Sequence, residues 1–511
     1  MDDWTFGYMA DIDYTYGYYG EFNALRLRLA FLHVGLVPPT VMTACDLGFG
    51  QGLSTNIHAA SSPIQWYGTD FNPSQAGLAQ EMASFSGANP QLVDQSFAEF
   101  CQRQDLPDFD FIGLHGIWSW ISDANRAAIV DFIRRKLKVG GVVYISYNTL
   151  PSWAPIVPLR NLLTEHSQIM GAPGVGVVSR IDTALDFADK LMAVNPAYTR
   201  LNPSVAKHFE KMKGQSRNYL AHEYFNQDWL PMQFSSMAKW LTSAKLSYAC
   251  SAHYLDHIEA LNLEKDQLSL INEIPDTAFR ETVRDFLVNR QFRRDYWVKG
   301  ARKLDSLAQI DTLRKQRVLL AKYRADVSLT VNGAQGEGKL HEPVYVPVLD
   351  VLADHKPRTL GEIEQAVASK GVNFAKLLQV IMVLAGTGAL YAVQDQEVIA
   401  RSKPYTDKLN AYICNQARGN AVINFLASPV IGGGVAVPRF HQLFLLARSD
   451  GKTHPSQWAA FAWAILDMQG QALHRNGKTL EGPEENLAEL TAQANEFAEK
   501  HIPVLQAIQI A

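Results

Sequence analysis

The sequence predicts an α/β protein built on a parallel doubly wound sheet, and three observations carry that expectation. Four short apolar runs between about 40 and 150, "VMTACDLGFG", "IQWYGTDF", "FDFIGLHG" and "VGGVVYISYN", have the continuous hydrophobicity of strands buried on both faces. Helix-period stretches such as "PSQAGLAQEMASF" and "ANRAAIVDFIRRKL" alternate with them in the β-α-β order of a parallel sheet. The first two runs each end in an aspartate, Asp46 and Asp70, and the first passes straight into glycines, as ligand-binding strand ends do.

The chain has 511 residues, enough for two to four domains, and 47% of them are hydrophobic, as in a globular protein. A net charge of −4 provides no whole-chain field for nucleic acid or anionic lipid. The start "MDDWTFGY" lacks the pattern of a secretory signal and no apolar run reaches spanning length, so a cytoplasmic protein without a membrane or nucleic-acid partner is expected. The four cysteines, Cys45, Cys101, Cys250 and Cys414, never form C-x-x-C, so buried thiols are expected and neither a metal site nor disulfides.

Four regions follow in order. Residues 1–30 form a Tyr-rich segment, "DYTYGYYGEF", and residues 31–305 form the sheet domain. The sheet domain carries a helical insertion at about 155–215, where "IDTALDFADKLMAV" and "PSVAKHFEKMK" are amphipathic and suit a lid. After it, "WLPMQFSSMAKWLTSAKLSYACSAHYL" reads as helix then strand, and "VNRQFRRDYWVKG" as a further strand returning to the sheet. "LTVNGAQGEGKLHE" reads as a hairpin or linker. In 306–400, "VPVLDVLADH", "TLGEIEQAVASKG" and "FAKLLQVIMVLAGTGAL" suggest three helices and "YAVQDQEVIA" a β-ribbon, the order of a winged helix. Residues 401–511 read as helical with a Gly-rich turn, "VIGGGVAVP".

The chemistry is concentrated in "ACDLGFGQG", which gives Asp46, Gly48, Gly50 and Gly52 the pattern acid-x-G-x-G-x-G. Glycines there let the backbone turn sharply and approach a ligand at the positive end of the next helix. Dinucleotide enzymes use G-x-G-x-x-G, and Leu53 stands where their third glycine would be. Asp70 ends the second strand about twenty residues on, placed to accept hydrogen bonds from both hydroxyls of a ribose, and Asn72 with Pro73 suits a helix start. A nucleoside without a required pyrophosphate fits both marks, and S-adenosylmethionine is such a ligand.

Tyr14, Tyr16 and Tyr18 would share one face of an extended segment and Tyr19 the other. Aromatic faces attract a sulfonium cation by roughly 0.5 to 2 kcal/mol, so these rings either close over the cofactor or simply pack the segment onto the sheet. Glu21 would meet the cofactor's ammonium or orient the nucleophile. "HGIWSW" places His115, Trp118 and Trp120 at the carboxyl end of the sheet, and Tyr147 and Asn148 leave the next strand at the same edge, so an acceptor amine would sit among them. His115 is either a base, a cofactor contact or a strand cap.

This arrangement resembles the class I S-adenosylmethionine-dependent methyltransferases, whose sheet is Rossmann-like. The resemblance implies that Asp46, Gly48, Gly50 and Gly52 hold the methionine part, that Asp70 binds the ribose with Phe71 beside it, and that Ser96 and Phe97 in "DQSFAEF" meet the adenine, with His115 also at the cofactor. "FDFIGLHGIWSWI", "GGVVYISYNTLPSW" and "YLAHEYFNQDWLPMQF" are similar to methyltransferases carrying a methyltransferase regulatory domain, best known as protein-lysine methyltransferases of bacterial outer-membrane proteins. That implies methylation of protein lysines with S-adenosylhomocysteine as product. The alternative is O- or N-methylation of a sugar, glycan or small metabolite, because "YMADIDYTYGYYGEFNAL" departs from those lysine enzymes. Monomer and dimer both stay open. "HYLDH" and "HEYFN" fall short of metal motifs, the latter pointing to a structural role. "RQFRRDYWVKGARK" is expected to be a solvated strand face.

Overall fold

The computed structural model describes residues 16–171, 174–475 and 477–511. Seven strands form the central sheet: β1 Thr43–Leu47, β2 Gln65–Thr69, β3 Gln91–Val93, β4 Phe109–Leu114, β5 Leu137–Asn148, β6 Leu246–Ser251 and β7 Phe292–Lys299. Their order is β3-β2-β1-β4-β5-β7-β6. The five strands β1 to β5 are mutually parallel, whereas β7 runs antiparallel to both β5 and β6. The sheet is therefore mixed at one edge rather than parallel throughout. Three-residue β3 is too short to show a period and had no separate signal.

The register decides where the site lies. Asp46 pairs with Gly68 of β2 and Gly113 of β4, so β1, β2 and β4 end level with one another. Residues following these ends, from Gly48, Asp70 and His115 onward, emerge at one edge. Most helices around the sheet start under side-chain caps. Asn23 caps α1 (Ala24–His33), Asn72 caps α3 (Pro73–Ser86), and Ser96 with Glu99 makes a capping box on α4 (Phe97–Gln102). Ser122 caps α5 (Asp123–Lys136), while α2 (Leu53–Ser61) begins on left-handed Gly52.

Between β5 and β6 the chain forms the expected helical insertion, with helices Val157–Ile169, Val177–Ala193, Pro203–Lys213 and Arg217–Tyr224 around their own core of Leu163, Ile181, Leu185, Phe209 and Leu220. The "RQFRRDYWVKGARK" strand is not a solvated face. Its β7 lies between two neighbours, and Arg293 is buried in ion pairs with Glu281 (2.9 Å), Asp285 (2.7 Å) and Asp295 (2.8 Å).

Beyond the sheet, β8 (Arg317–Leu320) leads to a hairpin, β9 (Thr330–Gly333) and β10 (Gly336–Lys339). Three helices follow, Glu342–Val351, Leu360–Val367 and Phe374–Gly386, with β11 (Arg358–Thr359) and β12 (Leu390–Ala392) pairing on either side of β8. The expected ribbon in "YAVQDQEVIA" is only the single strand β12. Its partner, β8, precedes the three helices, and the good helix formers from Gln396 onward begin a helix that runs to Gln416, across the boundary drawn at 400. The Gly-rich stretch closes a second hairpin, β13 (Phe425–Ser428) and β14 (Gly433–Ala436). Helix Gln396–Gln416 and this hairpin pack directly on α2, and the helix also packs on α3. Among the described residues, no single helix is long and apolar enough to cross a membrane. All four cysteines are buried and free.

Candidate active site

A cleft of about 1030 Å³ opens at the carboxyl ends of β1, β2, β4 and β5. Its first half is the glycine turn. Gly48, Gly50 and Gly52 all line it and all have positive φ, at 88°, 57° and 71°. Two of these cannot carry a side chain for a second reason: a Cβ at Gly48 would lie 2.4 Å from Ile117 Cδ1, and one at Gly52 would lie 2.3 Å from Ala79 Cβ. The turn is pinned to β2, because the N–H of Gly48 donates to Thr69 O (2.8 Å).

Asp70 is buried beside the turn. Its Oδ2 accepts from the Gly50 N–H (2.9 Å) and its Oδ1 from the Asn72 N–H (3.0 Å), which leaves further lone pairs on both oxygens for hydroxyl donors. Burial pushes its carboxyl up to about 6, against the lowering effect of those two N–H groups. Phe71, Gln95, Ser96 and Phe97 continue the wall on one side and Ile117 and Ile121 on another, a slot suited to a flat base.

His115 stands at the centre. Tyr19 lies flat on it, ring centroids 3.6 Å apart at 17°, and its Nδ1 is 2.8 Å from the hydroxyl of Tyr144. Burial drives its pKa down to about 4 against the pull of Glu21, so the imidazole is neutral at pH 7. In the second half of the cleft, Asn148, Trp120, Trp153 and Phe292 face Tyr219, His222, Glu223, Gln227 and Asp228. The indole N–H groups of Trp120 and Trp153 donate to the backbone oxygens of Glu223 (3.5 Å) and Gln291 (3.0 Å), so both rings are anchored by their polar edges. Asn148 is 4% exposed, and its Nδ2 has no hydrogen-bond partner among the described residues.

Of the residues singled out in the sequence, Tyr19, the three glycines, Asp70, Phe71, Ser96, Phe97, His115, Trp120 and Asn148 line the cleft. Tyr14 lies outside the described residues. Five others are elsewhere for local geometric reasons. Tyr18 and Tyr147 precede Tyr19 and Asn148 in extended chain, so their side chains point the opposite way. Tyr18 packs on Phe425 and His58, and the buried Tyr147 donates to Asp295 (3.0 Å). Trp118 and Trp120 sit in one 3-10 turn, in which residues two apart face different directions. Trp118 is core, its N–H against Met232 Sδ (3.4 Å). Glu21 does not line the cleft and is paired with Arg294 (2.8 Å). Burial would raise its carboxyl, yet Arg26 and Arg294 outweigh that and hold it near 2. Asp46 lies beneath the turn, accepting from the Thr55 hydroxyl, and burial pushes it up to about 7. Its side chain ties the end of β1 to α2 and does not line the cleft.

The sequence reading missed the wall supplied by Tyr219, His222, Glu223 and Asp228. The available signal was the polar run inside "YLAHEYFNQDWLPMQF", which was assigned a structural role instead. Among the described residues no lysine or arginine lines the cleft, while Asp70, Glu223 and Asp228 do. That acidic lining suits a cationic nucleoside and opposes a di- or triphosphate.

Comparison with known proteins identifies the family and the fold. Residues 45–145 match the family model described as "Methyltransferase domain", and residues 216–299 match "Predicted methyltransferase regulatory domain". An uncharacterized protein of Synechocystis sp. is 39% identical over 99% of this chain and 100% of its own. An uncharacterized protein of Rickettsia prowazekii is 23% identical, covering 95% of this chain and 90% of the relative. The structure of PKMT2 from Rickettsia typhi in complex with AdoHcy superimposes with a TM-score of 0.69 at 18% identity, covering 94% of this chain and 98% of that one. That likeness extends the shared fold to nearly the whole chain.

Proposed function

The chain belongs to the family of the Synechocystis protein and is an S-adenosylmethionine-dependent methyltransferase with a regulatory domain, and from that premise we propose that its acceptor is the side chain of a protein lysine. The observation that carries the acceptor is the second half of the cleft. Aromatic faces from Trp120, Trp153, Tyr219 and Phe292 and carboxylates from Glu223 and Asp228 surround a space lined by no lysine or arginine among the described residues. Carboxylates and aromatic faces both attract an ammonium group. The Rickettsia typhi structure solved with AdoHcy shares the fold that carries this cleft.

S-adenosylmethionine, when bound, supplies an electrophilic methyl group on a sulfonium, which passes in line to the acceptor's lone pair and leaves S-adenosylhomocysteine. The chain's own residues bind and orient. Asp70 would accept from the ribose hydroxyls, the backbone at Gly48 and Gly50 would approach the methionine part, and Tyr19 would close over the reacting end. A lysine near pKa 10.4 must first lose its proton, at a cost of about 4 to 5 kcal/mol at pH 7. Glu223 and Asp228 would gather the ammonium, which favours its charged form, and desolvation among the indole rings would act the other way and lower that cost. Neutral His115 leaves the acceptor unrepelled. Held near 4, it is also a weak base.

The test is to incubate the protein with methyl-labelled S-adenosylmethionine and cell lysate, then hydrolyse the labelled material in acid. Methyl-lysine recovered from protein is the expected result. Label confined to protease-resistant glycan or small molecules would overturn the lysine assignment while leaving the methyltransferase intact.

A further inference from the structure

The segment Gly17–Asn23 is held between the cleft and the C-terminal region. On the cleft side, Tyr19 stacks on His115, its N–H donates to Ser54 Oγ of α2 (3.1 Å), and its carbonyl meets Nε2 of His58 on the same helix (2.9 Å). On the other side, the Asn23 side-chain amide donates to Ile431 O (2.8 Å) and Gly432 O (3.0 Å), in the turn between β13 and β14. The Tyr18 ring packs on Phe425 at 5.3 Å, and its hydroxyl is hydrogen-bonded by the Gly434 backbone. It occupies space that side chains on the hairpin would need: a Cβ at Gly433 would lie 2.4 Å from the Tyr18 hydroxyl, and one at Gly434 would lie 3.0 Å from its ring. Gln394 ties the hairpin to the end of α2, donating to Ser61 O and Pro429 O at 2.7 Å each.

Among the described residues, none beyond Phe292 lines the cleft, so the C-terminal region reaches it only through other residues. Tyr18 and Tyr19 are adjacent in extended chain, so fixing one ring under the hairpin fixes the other over His115. We propose that the β13–β14 hairpin is a latch that positions Tyr19 over the cofactor site, with Asn23, Tyr18, Gly433 and Gly434 as positioning residues. The inference rests on the reading that the cleft binds S-adenosylmethionine. Its physical content is preorganisation: without the latch, ligand binding must itself order Tyr19 and loses affinity accordingly.

The decisive variant is Asn23→Asp. It keeps the oxygen that caps α1 by accepting from the N–H groups of Leu25 and Arg26, but it faces the two hairpin carbonyls with an acceptor where a donor stood. Amide exchange over residues 17–22 should accelerate, and the dissociation constant for S-adenosylhomocysteine should rise about tenfold. In a Tyr19→Ala background the same substitution should cost nothing further, because the ring it positions is gone. Equal losses in both backgrounds, or unchanged exchange, would overturn the latch. Should Asn23→Asp not fold, Tyr18→Phe removes only the hydroxyl at Gly434 and should give a smaller change with the same dependence on Tyr19; additive losses there would overturn the latch as well. Wild-type protein that binds no S-adenosylhomocysteine, yet shows the exchange difference, would support the latch and refute the cofactor reading instead.

Discussion

Asp70 is asked to orient the glycine turn through Gly50 and to meet the ligand; both demands favour its ionised form, and burial opposes them. In the free protein burial raises its carboxyl from 3.8 to about 6. The stability this group contributes is therefore fully present below 3.8 and is lost as pH rises through about 6. Hydroxyl donors from a ribose favour the ionised form, so ligand affinity should fall as pH drops through about 6. Calorimetric titration with S-adenosylhomocysteine from pH 8 to 5 should show that weakening in wild type and a flat profile in Asp70→Ala. The variant should also lose roughly 100-fold in affinity at pH 8, given about 1.5 to 3 kcal/mol per hydrogen bond to a charged group. Unchanged affinity in the variant would remove Asp70 from the site. Which residues of a promising cluster reach the cleft was less legible than the cluster itself. Trp118 and Trp120 were indistinguishable by composition, and only the local turn decided between them. Tyr147 and Asn148 differ by the parity of a strand whose end no motif marks.

The element scale separates cofactor from acceptor. The glycine turn and α2 are readable from sequence because they must satisfy backbone demands that few residues meet. Gly52 illustrates the strength of that constraint: Gly52→Ala would combine a φ of 71° with a Cβ 2.3 Å from that of Ala79. We expect a loss of about 2 to 4 kcal/mol in urea unfolding at an unchanged m-value. The insertion helix Arg217–Tyr224 and the residues after it obey no comparable backbone rule, so their polar run does not by itself say which side chains form the wall. If that wall gathers the acceptor, Asp228→Asn should raise the acceptor KM about tenfold while S-adenosylhomocysteine binding stays within twofold of wild type. Trp120→Ala should likewise slow transfer more than it weakens cofactor binding. Equal losses in both measurements would move these residues to the cofactor side.

Across the whole molecule, sequence reasoning divided the chain into consecutive domains, and the order of elements it gave is largely the observed one. What it could not contain is how the last region folds back on the first. Helix Gln396–Gln416 packs on α2 and α3, the hairpin packs on α2, and Tyr412 donates to Glu81 (3.0 Å) across that junction. The apolar surface behind these contacts is shared: Leu53, Ile57, Ala60 and Met82 of the sheet domain lie in one continuous core with Leu409, Ile413, Leu426 and Ile431. Such interdigitation is specified by residues hundreds of positions apart, and no periodicity within either segment announces it. It has a thermodynamic consequence. A unit that shares its core should unfold with its partner rather than after it, so calorimetry should record the sheet domain and residues 396–511 melting in one transition. S-adenosylhomocysteine at 100 times its dissociation constant stabilises the folded state by about 2.7 kcal/mol, and that whole transition should move upward together. Two transitions, of which only the lower responds to ligand, would mean that the C-terminal region is energetically separate from the cofactor site and that its contacts with α2 and α3 contribute little.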